Sequence, residues 1–160
     1  MGLEKCSAAG PLLLVTTCLP ALSASLQCRK AVFPVFRSVK VKAGVVARDE
    51  KESGLRRILN FGHTFGHAIE LSEGISHGFA VAAGMELAAL FSFRKGYLGE
   101  KDYSRISMLL RSLGYPLDIK IPAGKMWELI LNDKKKTGSE IFFVFLKGIG
   151  KPVVEKVPVD

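Results

Sequence analysis

NFGHTFGHAIE, residues 60–70, sets His63 and His67 four residues apart, each preceded by a glycine. On an α-helix that step turns about 400°, so the two imidazoles fall roughly 40° apart on one face. Metal-ligand pairs are spaced this way, and so are two residues that pack into a core; the spacing leaves both readings open. Within a helix Gly62 and Gly66 each cost about 1 kcal/mol relative to alanine. Close approach of another backbone, or of a ligand, is what offsets such a cost. His77 follows in the loop SEGISHG, and the chain has no fourth histidine. A lone histidine is more often structural than a ligand, whereas three within one helix and the loop after it bring a metal site into contention.

The rest of the sequence frames this segment. A chain of 160 residues with 48% apolar and 24% charged residues is one globular domain with a core of its own. Its charge of +8 directs attention to anions, a phosphorylated metabolite above all. No basic stripe interleaved with aromatics and no named nucleic-acid module accompanies that charge. Cys6, Cys18 and Cys28 match no zinc spacing, and an odd count argues against a closed disulfide framework, so a reducing cytoplasm is expected. LLLVTTCLPALSAS, residues 12–25, has the apolar texture of a secretory signal. The lead before it carries both Glu4 and Lys5, and the run is too short to span a bilayer. We read residues 1–30 as a segment outside the domain and residues 31–160 as the domain.

Working outward from the histidines, VFRSVKVKAGVVARDE (residues 35–50) repeats Val35, Val39, Ala43 and Val46 at helical steps, which predicts an amphipathic helix buried on that stripe. Asp49, Glu50 and Glu52 gather where a second helix, Leu55 to Glu70, should begin, since acids suit a helix N-terminus. AVAAGMELAALFSFRKG (80–96) predicts a third helix. A fourth carries the stripe Tyr103, Ile106, Leu109, Leu110 and Leu113, and IPAGKMWELILNDKKK (121–136) predicts a short fifth with a basic end. EIFFVFL, the turn KGIGK and PVVEKV then read as a β-hairpin. The expected fold is mainly α, closed by a small β-hairpin near the C-terminus.

HTFGH lacks the glutamate of the H-E-x-x-H metalloprotease motif, so a metal here has another use. DEKESGLRRILNFGHTFGHAIE (49–70), SHGFAVAAGM (76–85) and NDKKKTGSEIFFVFLKGIG (132–150), in that order, resemble the C-terminal domain of the 3-dehydroquinate synthase family. The resemblance implies a helical domain that works with an NAD-binding α/β domain across a cleft. It implies that His63 and His77 are two of three ligands of a catalytic Zn2+ or Co2+, and that His67 contacts substrate near its phosphate and its proton transfers. Lys42, Arg56 and Asn60 match substrate-binding positions, and Lys134 or Lys135 matches a late substrate lysine. Surface charge is the plain alternative for Lys42, Arg56, Lys134 and Lys135.

The implied reaction converts 3-deoxy-D-arabino-heptulosonate 7-phosphate to 3-dehydroquinate and phosphate, in the shikimate route to aromatic amino acids. A substrate with a carboxylate and a phosphate calls for converging arginines and lysines. The family further implies a homodimer; neither a nucleic-acid nor a membrane partner is expected. Two departures stand out. No Gly-rich strand-to-helix fingerprint for NAD is present, nor is the glutamate that the family's other half supplies as third ligand; Phe79 stands where the common pattern has glutamate. The expectation is a chain inactive alone, either as a fragment or as one half awaiting a separate NAD-binding partner. A sister sugar-phosphate cyclase such as 2-deoxy-scyllo-inosose synthase, or a non-catalytic interaction domain or remnant, are the alternatives.

Overall fold

The computed structural model describes residues 28–51, 54–115, 117–137 and 141–157. The signal-like run, Cys6 and Cys18 lie outside them. Helix α1 is Cys28–Arg48, followed by a 3-10 turn at Leu55–Asn60, then α2 (His63–Glu73), α3 (His77–Arg94), α4 (Glu100–Ser112), α5 (Ala123–Thr137), and strands β1 (Ile141–Leu146) and β2 (Pro152–Val157). The mainly helical fold with a closing antiparallel hairpin is as expected; its register pairs Ile141 with Val157 and Leu146 with Pro152.

Helix α3 is the centre of the molecule. Ala80, Val81, Ala82, Ala83, Gly84, Met85, Ala88, Ala89 and Ser92 are all buried, so it is covered on nearly every side, as a helix without a polar face must be. Its small residues let α2 lie against it backbone to backbone. A Cβ on Gly84 would stand 2.1 Å from the Gly62 carbonyl oxygen, and one on Gly66 would stand 3.0 Å from the Val81 Cα. Gly62 and Gly66 therefore answer to another helix rather than to a ligand. Gly62 also has φ +82°, a left-handed conformation that suits glycine.

That conformation overturns the single helix expected from Leu55 to Glu70. The chain breaks at Phe61 and Gly62 and restarts with His63 as the first residue of α2. A second correction concerns the loop SEGISHG. Helix α2 runs through Glu73 to a left-handed Gly74, whose N–H donates to the Glu70 carbonyl, and His77 opens α3 instead of lying in a loop. Asp49 behaves as an N-terminal acid should: its carboxylate accepts the N–H groups of Gly54 (2.8 Å) and Arg56 (2.9 Å) at the start of the 3-10 turn.

The stripe expected to bury α1 is also corrected. Val35 is 47% and Val39 59% exposed, and among the side chains described on this helix the covered ones are Ser38 with half-buried Val41, Val45 and Val46. Among the described elements α1 packs chiefly on the 3-10 turn, which is too small to cover an apolar stripe.

The hairpin closes the other side. Phe65 of α2 stacks on Phe91 and packs against Phe143 of β1. Buried Ser92 accepts the Leu146 N–H at 3.0 Å while donating to the Ala88 carbonyl, so α3 and β1 share one satisfied polar link. Lys95, past the end of α3, pairs with Glu155 of β2, to which the Tyr97 hydroxyl also donates. On α4, Ile106 and Leu110 are buried and Tyr103, Leu109 and Leu113 half-buried, matching the predicted stripe.

Candidate metal and substrate site

The first residue of α2 and the first residue of α3 are both histidines, and the α2–α3 packing brings them together. The ring centres of His63 and His77 are 5.7 Å apart, those of His63 and His67 6.1 Å, and those of His67 and His77 5.8 Å. The three form a nearly equilateral triangle. His63 and His67 share one face of α2 as their spacing requires, and His77 joins them because α3 returns antiparallel after only Gly74, Ile75 and Ser76.

Hydrogen bonds distinguish the three rings. His63 Nδ1 stands 3.4 Å from the Phe61 carbonyl oxygen, and His77 Nδ1 2.9 Å from Glu70 Oε2. A carbonyl and an ionised carboxylate only accept, so Nδ1 carries a hydrogen in both rings, and whenever a ring is neutral its lone pair is on Nε2. His67 Nδ1 lies 3.9 Å from Asp133 Oδ2 of α5, an ion-pair distance when the imidazole is protonated. Burial pushes the His63 imidazole below its usual value. The bond to Phe61 opposes that shift, while the positive charges of His77, His67 and Lys42 add to it. Lys42, exposed on α1, is thus near enough for its charge to be felt at His63.

The donor chemistry fits a divalent metal such as zinc: two imidazoles, each with Nδ1 engaged so that Nε2 is the nitrogen left for a metal, one in a partly buried setting. Among the described residues no trio of His, Cys, Asp or Glu side chains is placed to hold a metal ion.

The remaining sequence-derived residues divide. Arg56 and Asn60 lie on the 3-10 turn, which the left-handed Gly62 separates from the helix that carries His63. The Arg56 guanidinium donates to the Glu50 carbonyl at 3.0 Å, and Asn60 ends the 3-10 turn, exposed. Lys134 and Lys135 fall in the final turns of α5, one and two residues past Asp133, and their side chains lie outside the described residues. Phe79 meets Tyr115 edge to face at 5.7 Å, so this position serves an aromatic contact. Sequence reasoning missed Glu70 and Asp133, which face His77 and His67, as well as two braces of the α2 start. Those are Thr64, donating to the Phe142 carbonyl, and Arg57, lying 3.7 Å over the Phe142 ring. Glu70 was legible, seven residues after His63 and so on its face; Asp133 depends on the docking of α5. An apolar pocket of about 480 Å3, lined by Phe65, Phe91, Trp127, Ile130 and Phe143 among others, has none of the three histidines in its wall.

Residues 19–136 match the family model described as 3-dehydroquinate synthase C-terminal. The chain belongs to the 3-dehydroquinate synthase family. It is 50% identical over 124 residues to the 3-dehydroquinate synthase of Pelobacter propionicus, covering 75% of this chain and 34% of that one. Against the 3-dehydroquinate synthase of Paenarthrobacter aurescens it is 46% identical over 130 residues, 78% of this chain and 35% of the relative. The chain thus spans about a third of the length of the curated dehydroquinate synthases it matches. A crystal structure of 2-deoxy-scyllo-inosose synthase with carbaglucose-6-phosphate, NAD+ and Co2+ superposes with a TM-score of 0.70 at 26% identity, over 95% of this chain and 49% of that one. The 2-epi-5-epi-valiolone synthase of Streptomyces hygroscopicus, solved with NAD+ and Zn2+, shares the fold at a TM-score of 0.72 and 24% identity, over 83% and 38% of the two chains. No helix among the described residues is long and apolar enough to cross a membrane.

Proposed function

We propose that this chain is the metal- and substrate-binding part of a 3-dehydroquinate synthase, acting on 3-deoxy-D-arabino-heptulosonate 7-phosphate to give 3-dehydroquinate and phosphate. The observation that carries the reading is the histidine triangle at the joint of α2 and α3, on a chain half-identical to a dehydroquinate synthase over 124 residues. The site residues take the following roles. His63 and His77 hold a Zn2+ or Co2+ through Nε2, with the third ligand contributed by an NAD-binding half. Bound there, the metal supplies Lewis-acid polarisation of a substrate oxygen, and NAD supplies the acceptance and return of hydride.

His67 holds and moves a proton at the neighbouring corner of the triangle, with the Asp133 carboxylate 3.9 Å from its Nδ1. Lys42 presents positive charge beside His63, suited to the phosphate or carboxylate of the substrate. Arg56 and Asn60 bind substrate from the 3-10 turn, which in Arg56's case requires the guanidinium to exchange the Glu50 carbonyl for the ligand. Lys134 or Lys135 completes the anion site from α5. The same reading carries a homodimer and a cytoplasmic location.

The test mixes the chain with a separately expressed NAD-binding half, zinc and the heptulosonate phosphate, and follows phosphate release with His63→Ala as control. Release that vanishes in the control supports the reading; no release in any combination overturns it and leaves a non-catalytic domain. The likeness to the inosose synthase supports one second reading, a sister cyclase. Turnover of a hexose 6-phosphate in place of the heptulosonate would favour it.

A further inference from the structure

We propose that Glu70 is a positioning residue for His77: its carboxylate keeps the ring proton on Nδ1 and so holds Nε2 as the bare donor to a divalent metal. The proposal rests on the metal reading above, and its geometry stands apart from it. Helix α2 carries His63, His67 and Glu70 at steps of four and three, which sets all three side chains on one face. Past Glu70 the chain has a single turn left before Gly74 ends the helix, and His77 begins α3. The Glu70 carboxylate reaches across this joint and meets His77 Nδ1 at 2.9 Å.

The two histidines have the same need and meet it differently. At His63 a main-chain carbonyl, that of Phe61, accepts from Nδ1; the fold supplies it and no substitution removes it. At His77 the acceptor is a side chain from another helix. A neutral imidazole without such a partner divides its proton between two nitrogens and turns about its side-chain bonds. One with an acceptor on Nδ1 offers a single lone pair in a single direction. Carboxylate–histidine–metal arrangements work in this way, and loss of the outer group weakens metal binding about 10- to 100-fold. His77 and Glu70 side chains are 53% and 38% exposed, so the bond competes with water and its hold on the proton is open to direct measurement.

The experiment uses the full chain labelled with 15N, at about pH 8.5, where imidazoles are neutral. Long-range 1H–15N spectra report which nitrogen of His77 carries the proton, and Co2+ titration reports affinity through the broadening of the His63 and His77 signals. Wild type is expected to hold His77 as the Nδ1–H tautomer. Glu70→Ala should shift it toward Nε2–H and weaken Co2+ binding about 10- to 100-fold. Glu70→Gln, whose amide oxygen still accepts, should keep the tautomer and most of the affinity. A wild-type His77 protonated mainly on Nε2, or a Glu70→Ala chain with the wild-type tautomer, overturns the proposal. A tautomer shift in Glu70→Ala with no Co2+ bound by any variant, even with the separately expressed NAD-binding half added, supports the positioning role and counts against the metal reading instead.

Discussion

His63 is kept neutral by burial to a lower pH than a free histidine, and the sign of the consequence is fixed by linkage. Because its folded-state pKa is depressed, the unfolded chain takes up more protons on the acid side of about pH 6.5. Stability is therefore fully present above that value and is lost as the pH falls through the folded pKa. An NMR titration of the His63 ring should give a midpoint below the ordinary imidazole value, and His63→Gln should flatten the acid limb of the stability curve. A midpoint at or above the ordinary value would contradict the burial argument. At Gly84 the prediction is steric. A methyl group there meets the Gly62 carbonyl, so Gly84→Ala should cost about 3 kcal/mol or more by denaturant unfolding and shift the His63 resonances. A loss under about 0.5 kcal/mol would mean that α2 and α3 slide apart freely. These residues also mark the limit of legibility. The two glycines announced a close contact in the sequence, but whether helix or ligand made it depended on which surface α3 presents.

Helix α1 shows the same limit at the scale of an element. Its period was readable and its buried face was not, because Val35, Phe36 and Val39 are all exposed. Val39→Ala should therefore change the unfolding free energy of this chain by no more than about 0.5 kcal/mol. A cost in the range of about 1 kcal/mol or more would restore the stripe read from periodicity. Two other elements were read more accurately. In α4 the predicted stripe is the one that packs, since α3 lies against it, and the hairpin followed from its alternation and its KGIGK turn. The break before α2 was missed for a local reason. The left-handed φ of Gly62 is a conformation glycine permits but does not demand, and the closeness of Met85, which leaves no room for a Cβ there, is set by the packing of α3.

Across the whole molecule, the hairpin, though it holds none of the candidate site residues, braces the site. Phe143 packs on Phe65, and the β1 main chain accepts from Thr64 beside His63. Phe143→Ala should destabilise the chain by about 3 to 5 kcal/mol, and at temperatures where it remains folded it should loosen the α2 histidines, read as broadened His63 and His67 signals. Unchanged stability would place the hairpin outside the cooperative unit. The sequence by itself determined the helical class, the closing hairpin and the pairing of His63 with His67, because each rests on a local period of residues. It also carried, through ordered motifs, the family to which the chain belongs. Only the tertiary structure decided that His77 starts a helix and completes a triangle, that Glu70 and Asp133 face His77 and His67, and that Arg56 lies on a 3-10 turn that Gly62 separates from α2. Those relations depend on two helices meeting at glycine contacts and a third docking across them, and such distances are set by packing between segments rather than by the order of residues within one.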